Sequence, residues 1–307
     1  MTIKCRNRFL PFAGLVLILC LVAYLLYDRG RPAPISRKEE LFEGVTYYRD
    51  LQYLPRPMIA HVLVIDMNTP GLKFLVTPPD AEGDMPLAAR TTSDFLTDFD
   101  LQIAINGDGF VPWWSHAPWN YYPHVGDPVT PLGLTASRGK VYAYDSVEDE
   151  GLEPTLYFGR KNQLVFNIRP EKVYNALSGD RMVVFNGEPV PGLDDEELDP
   201  RTAIGMDKNG QHLILIVVDG RQPFYSMGAT LTELAGLLIQ YGAYEGMNLD
   251  GGGSSTMVIE GGPDKPVILN SPIDNYIPGR ERPVANHLGI VTTQLTVRRK
   301  WASKEYP

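Results

Sequence analysis

The sequence predicts an α+β fold, with mixed β-sheets and few helices. Three observations lead to it. Short runs rich in β-branched and aromatic residues recur from Val45 onward. One segment alone carries a full helix signature. Gly (29) and Pro (26) are abundant with no repeat period, which favours turns and short strands over long helices.

The N-terminus comes first in chain order. Phe9 to Tyr27 contains no charged residue, and its length of about 19 residues approaches the ~20 that span a bilayer. Lys4, Arg6 and Arg8 precede it, favouring a cytosolic N-terminus. The run ends LVAYLLYDRG, without the small-residue site of a cleaved signal, so residues 1–27 read as a membrane anchor rather than a removed leader. Residues 28–44 open with a charged, Pro-containing stretch and read as a linker. Residues 45–307 then form one domain, expected outside the cytoplasm. Both cysteines, Cys5 and Cys20, precede it, so the domain folds without disulfides.

VTYYRDLQY, MIAHVLVIDM and LKFLVTP open the domain as strands. TTSDFLTDF reads as a short helix, and LQIAIN as a buried strand ending at Asn106. Residues 107–130 show neither period and read as a long loop. That loop holds Trp113, Trp114, Trp119, Tyr121, Tyr122, His116 and His124. Hairpins follow at Arg138-Gly139, at residues 160–162 and at Asn209-Gly210, the last carrying the strongest short turn signal. HLILIVVD is apolar through Val218, as a central strand would be. The well-specified helix begins at Thr230, where Thr230 and Glu233 form a capping box. Leu231, Leu234, Ala235 and Leu238 give its apolar face, and Gly242 follows its end. GMNLD, STMVIE, PVILN and NHLGIVTT return as strands.

The chain carries 28 basic and 37 acidic side chains, a net charge of -9. Setting aside the three cations of residues 1–27 leaves -12 for the remainder. Nucleic-acid binding requires a basic footprint, so that class is excluded.

Three buried-looking strands end in polar residues: Asn106 before Gly107-Asp108, Asp219 before Gly220-Arg221, and Asp250 before Gly251-Gly252-Gly253-Ser254-Ser255. Ligands commonly sit beyond strand ends in sheets with crossover helices. If the strands ending at Asp219 and Asp250 are parallel neighbours, their carboxylates share one sheet edge. Consecutive glycines let backbone approach a ligand, and their N–H groups can cradle an anion. No Gly-Lys-Ser/Thr follows, so this is not a Walker loop. Arg201, Arg221 and Arg282 are candidate phosphate partners, since guanidinium binds phosphate bidentately. His287 reads better as a core histidine. Trp113 and Trp114 could stack on sugar rings. No structural zinc is expected, because His116 and His124 lack partners at ligand spacing.

The run from RTAIGMDKNGQHLILIVVDG to MNLDGGGSSTMV, followed by ERPVANHLGIV, resembles the phosphodiester glycosidase family. The resemblance covers roughly residues 60–293. IAINGDGF is similar to a family strand end but carries Asp108 where glycine is frequent. The resemblance implies hydrolysis of a sugar-1-phosphodiester; with the anchor, the leading reading is an extracytoplasmic hydrolase of an envelope glycan or exopolysaccharide, with no cofactor expected. The resemblance implies Asp250 or Asp219 as nucleophile or base. It also implies Arg221, Arg282 and the amides of 251–255 around the phosphate, and Asn106 on the sugar. Two other readings stand beside it. One is a glycan-binding or assembly factor without turnover. The other is a metal-dependent phosphodiesterase, with Asp219 and Asp250 holding Mg²⁺ or Ca²⁺.

Overall fold

The computed structural model describes residues 13–19, 21–22, 24, 31–80, 84–144, 153–262 and 265–295. The chain divides into two compact units, residues 1–33 and 34–307. In the first, the described residues between 13 and 24 are helical, and 31–33 are not. Among the described residues no helix is long and apolar enough to cross a membrane, and the expected span 9–27 lies partly outside them, as do Cys5 and Cys20.

In the second unit, β1 (Arg37–Phe42), β2 (Val45–Gln52), β3 (Met58–Asp66), β4 (Lys73–Val76) and β5 (Leu87–Ala88) precede helix α1 (Thr92–Asp98). Next come β6 (Ile103–Asn106), β7 (Phe110–Val111), β8 (Trp114–Ala117), β9 (Asn120–Tyr122) and β10 (Pro128–Pro131). They are followed by β11 (Thr135–Ser137), β12 (Lys140–Ala143), β13 (Thr155–Phe158), β14 (Leu164–Phe166) and β15 (Asn175–Ser178). β16 (Arg181–Phe185), β17 (Glu188–Pro189), β18 (Arg201–Met206) and β19 (His212–Val218) lead to helix α2 (Leu231–Gln240). The last strands are β20 (Glu245–Asn248), β21 (Met257–Glu260), β22 (Pro266–Ile268) and β23 (His287–Val291).

An eight-stranded sheet runs β1-β2-β3-β19-β18-β20-β16-β17, and a five-stranded sheet runs β22-β21-β6-β23-β4. A second five-stranded sheet, β12-β11-β15-β13-β14, and two small sheets complete the unit. The chain is mostly sheet with few helices, as expected, and the ladders among the described residues run antiparallel.

Burial explains the layering. Alternate residues of β19 (Leu213, Leu215, Val217) join Phe42, Tyr47, Ile103, Ile105, Met257 and Leu288 in a core between the sheets. The other β19 residues, Ile214, Ile216 and Val218, pack with Leu231, Leu234, Ala235 and Leu238 of α2. β19 is therefore apolar throughout because both its faces are covered. Helix α1 covers the outer face of the β6 sheet through Phe95 and Leu96. Helix α2 carries the expected capping box, with Glu233 N donating to Thr230 Oγ1 (3.1 Å) and Thr230 N donating to Glu233 Oε2 (3.0 Å). Gly242 follows at φ +99°, a conformation that suits glycine at a helix end. The Asn209-Gly210 turn joins β18 to β19 as expected.

Two expectations need correction. The end of the expected linker is β1, because Leu41 and Phe42 are buried while the charges of Arg37 and Lys38 stay exposed. The aromatic segment 107–130 is not one loop. It holds β7, β10 and the hairpin β8–β9, strands of two to four residues that are too short to show a period.

Candidate active site

The ends of β6, β18 and β20 meet through one side chain. Asn106 is fully buried. Its Nδ2 donates to the Asp250 carbonyl (2.7 Å), while its Oδ1 accepts from Thr202 Oγ1 (2.8 Å) and Thr256 N (3.1 Å). Asp250 N donates in turn to the Gly107 carbonyl (3.0 Å). Asn106 was expected on the sugar. Instead its whole amide is spent on tying the two sheets to the Asp250 loop.

A cavity of about 850 Å³ opens beside this junction. Asp108, Asp250, Arg201, Arg221, Arg282, Gly251, Gly252 and Trp113 all line it. The carboxylate of Asp250 accepts from the Ser254 hydroxyl and the Gly251 N–H, and Arg282 lies nearby. Burial outweighs these partners and pushes its pKa above the ordinary value. Asp108 is buried and accepts from Gly109 N and Gly133 N, both at 2.8 Å. Its pKa is driven well up, first by burial and then by the charge of Glu153, with Asp250 adding to the effect. Asp108 N donates to Asn286 Oδ1 (2.8 Å), so the ANHLG segment positions it.

The glycines serve the arginines. Gly252 sits at φ +59°, and a Cβ there would lie 3.0 Å from Arg221 Nη2. A Cβ on Gly253 would lie 2.5 Å from Arg282 Nη2. Two guanidinium groups thus pack on bare backbone. The expected amide cradle is largely spent: Gly252 N donates to Pro200 O (2.8 Å), Ser254 N to Gly251 O (3.1 Å) and Ser255 N to Gly252 O (3.3 Å). These bonds hold the 3₁₀ turn Gly252–Ser254, which leaves the arginines as the principal anion partners.

Each arginine is held by named groups. Arg221 forms a fork with Asp199 (Nε–Oδ1 2.9 Å, Nη2–Oδ2 3.0 Å) and lies over Tyr276, 5.3 Å from its ring centre. Arg282 bonds Asp274 through Nε (2.8 Å), donates to Ser254 Oγ (3.2 Å) and lies 4.9 Å over Trp113. Arg201 donates through Nε to the Ala229 carbonyl (3.1 Å) and through Nη2 to the Glu197 carbonyl (3.0 Å).

Asp219 does not join Asp250. β19 and β20 run in the same direction, but β18 lies between them. The Asp219 carboxylate is not part of the cavity lining. Its Oδ2 meets His61 Nε2 (3.0 Å), and its Oδ1 accepts from Ser271 N (2.7 Å) and Asn270 Nδ2 (3.2 Å). His61 continues to the Tyr47 hydroxyl (2.8 Å). Both Asp219 oxygens are thus engaged by protein groups. Among the described residues no group of three or more His, Cys, Asp or Glu side chains could hold a metal ion. Ser255 is buried beneath the turn, and its carbonyl accepts from Asn270. Trp114 lies on β8 beside His116 and Tyr122, outside the lining. His287 is buried, stacked on Phe95, with its pKa lowered to about 3 by desolvation, as a core histidine is.

Sequence reasoning missed Glu153, Asp180, Asp199, Asn248 and Tyr276, which also line the cavity. Asn248 opens the NLDGGG stretch, and Asp199 stands two residues before Arg201, so adjacency to flagged residues was their one signal.

Carboxylates and arginines gather at strand ends around one cavity. A model of the phosphodiester glycosidase family matches residues 99–291, and the chain belongs to that family. A 61-residue stretch is 44% identical to bovine N-acetylglucosamine-1-phosphodiester alpha-N-acetylglucosaminidase, covering 20% of this chain and 11% of that protein. An SPbeta prophage-derived protein of Bacillus subtilis is 37% identical over 173 residues, 52% of this chain and 25% of its own length. The chain thus spans at most a quarter of these relatives. The fold resembles a hypothetical protein from Synechocystis (TM-score 0.63, 15% identity, 85% of this chain and 64% of that one). It also resembles the zebrafish N-acetylglucosamine-1-phosphodiester alpha-N-acetylglucosaminidase catalytic domain, which is auto-inhibited by its pro-peptide (TM-score 0.54, 18% identity, 87% of this chain and 92% of that one).

Proposed function

We propose that this chain hydrolyses sugar-1-phosphodiesters. The observation that carries the reading is the convergence of Asp250 and Asp108 with Arg221 and Arg282 on one cavity. The C1–O bond breaks and its electron pair stays on the phosphate oxygen, where the two guanidinium groups balance the charge. Water supplies the new C1 hydroxyl, so the products are the free sugar and a phosphomonoester. Asp250 acts at C1 as nucleophile or base. Asp108, biased towards its neutral form, leaves Asp250 to carry the negative charge of the pair. Phosphate leaves readily, so strong acid assistance is less needed than in ordinary glycosidases. The substrate we infer is an envelope glycan or exopolysaccharide. The domain would lie outside the cytoplasm, held at the membrane by residues 9–27.

Hydrolysis in H₂¹⁸O by the full chain, with UDP-sugars and glycan phosphodiesters as substrates, tests the reaction. Label in the sugar hydroxyl fits C–O cleavage. Label in the phosphate would mean P–O cleavage and a phosphodiesterase instead. Asp250→Asn is expected to lower kcat at least ~100-fold, as loss of a central catalytic group does. Glycan binding with no turnover across the panel would leave the binding-protein reading.

A further inference from the structure

Asn248 ends β20 and lines the same cavity. Its position is fixed from both sides, opposite Arg181 of β16 and Ala203 of β18. It is 4% exposed. Its Nδ2 donates to Asp180 Oδ2 at 3.2 Å. That bond also settles which end of the amide is which, because the reverse orientation would set two oxygens against each other. Among the described residues, Oδ1 is buried without a hydrogen-bond partner. Leaving such an acceptor unmet costs about 1–3 kcal/mol. Native interiors rarely keep one without a reason.

The neighbours say what would satisfy it. Asp180, whose oxygens also accept from Arg181 Nε (2.7 Å) and Nη2 (3.2 Å), lines the cavity too, as does Glu153. A phosphodiester brings only further acceptors and negative charge. A sugar ring brings O–H donors, and an N-acylated sugar brings an N–H donor. We propose that Asn248 Oδ1 accepts a hydrogen bond from a donor on the sugar, making Asn248 a specificity-determining residue that seats the glycone along Asn248 and Asp180. The phosphate then lies at Arg221 and Arg282, and Asp250, adjacent in the loop, falls between the two ends of the ligand. The inference rests on the sugar-1-phosphodiester reading for the ligand's identity.

The test pairs the full chain and its Asn248→Ala and Asn248→Ser variants with a sugar-1-phosphodiester and its analogues. Each analogue lacks one hydroxyl or the acyl amide. Calorimetry in an Asp250→Asn background reads binding without turnover, and steady-state kinetics read KM against kcat. One analogue is expected to bind the Asn248 protein about tenfold or more weakly, the size of one lost hydrogen bond in a buried site. Both variants should bind the parent ligand weaker by a similar factor and stop discriminating at that position alone, with KM moving more than kcat. Equal binding of all analogues by the Asn248 protein overturns the proposal, and so do variants that keep the full discrimination pattern. The analogue series on the Asn248 protein does not depend on how the variants fold. Asn248-dependent discrimination without hydrolysis would sink the hydrolase reading and leave this one standing. Hydrolysis without such discrimination would sink this one alone.

Discussion

The side-chain amide of Asn106 holds the main-chain carbonyl of Asp250 at 2.7 Å, joining the end of one sheet to the loop that carries the central carboxylate of the other. Removing that amide strands three buried groups: the Asp250 carbonyl, the Thr202 hydroxyl and the Thr256 N–H. At roughly 1 kcal/mol each, Asn106→Ala should lose about 3 kcal/mol of stability. The loss would appear as a lower urea midpoint with an unchanged slope.

The Ser254 hydroxyl and Arg282 lower the Asp250 pKa against the burial that raises it. Asp250 must be ionised to act, so the acid limb of kcat/KM should lie above the ordinary aspartate value of about 3.9. Ser254→Ala removes one lowering partner and should move that limb to higher pH. A limb that stays put or moves down would separate Asp250 from the rate.

Asp108 has a raised pKa in the folded state. The native state then holds its proton above the pH at which the unfolded chain releases it. The stabilisation is full below the unfolded value of about 3.9 and fades as pH rises through the folded one. The stability of the parent protein relative to Asp108→Asn should therefore fall as pH rises above about 4, read from urea titrations at each pH.

Two glycine substitutions should act oppositely. Gly253→Ala drives a Cβ to 2.5 Å from Arg282 Nη2 and 2.8 Å from Asp274 Oδ1, so KM for a phosphodiester should rise. Gly236 lies on the exposed face of α2 with nothing within 4 Å of its Cβ position. Gly236→Ala should raise the melting point, since alanine favours a helix interior by roughly 1 kcal/mol.

Asp219 separates architecture from chemistry. Asp219→Asn disturbs the contact with His61 and should lower the melting temperature, while kcat of the folded protein stays within about threefold. A loss as large as that of Asp250→Asn would return Asp219 to the reaction.

What the sequence disclosed and what it hid follow from how far apart the partners lie. The capping box at Thr230 and Glu233, the apolar face of α2 and the two-sided burial of β19 are local patterns, and they were legible. The family motif drew attention to Asp250, Arg221 and Arg282, and all three line the cavity. The role of Asp219 was hidden because its partner His61 stands 158 positions away, and no local pattern says which way a strand-end carboxylate turns. The glycine run looked like an anion nest. Only the three-dimensional packing shows that it makes room for guanidinium groups. Asn106 looked like a ligand contact because a polar residue ending an apolar strand has the same appearance whether it meets a sugar or a neighbouring carbonyl.

The first strand has a practical consequence. β1 closes one side of the eight-stranded sheet with the charged row Arg37, Lys38, Glu39 and Glu40, and the far side ends in two residues that include Pro189. Charges and proline at such margins discourage other chains from adding on. A fragment begun at residue 45, where the strand pattern first looks convincing, would lack β1 and present the bare hydrogen-bonding side of β2. It would also lose Leu41 and Phe42 from the core. That fragment should aggregate where one begun at residue 34 stays dispersed, and light scattering on the two would show it.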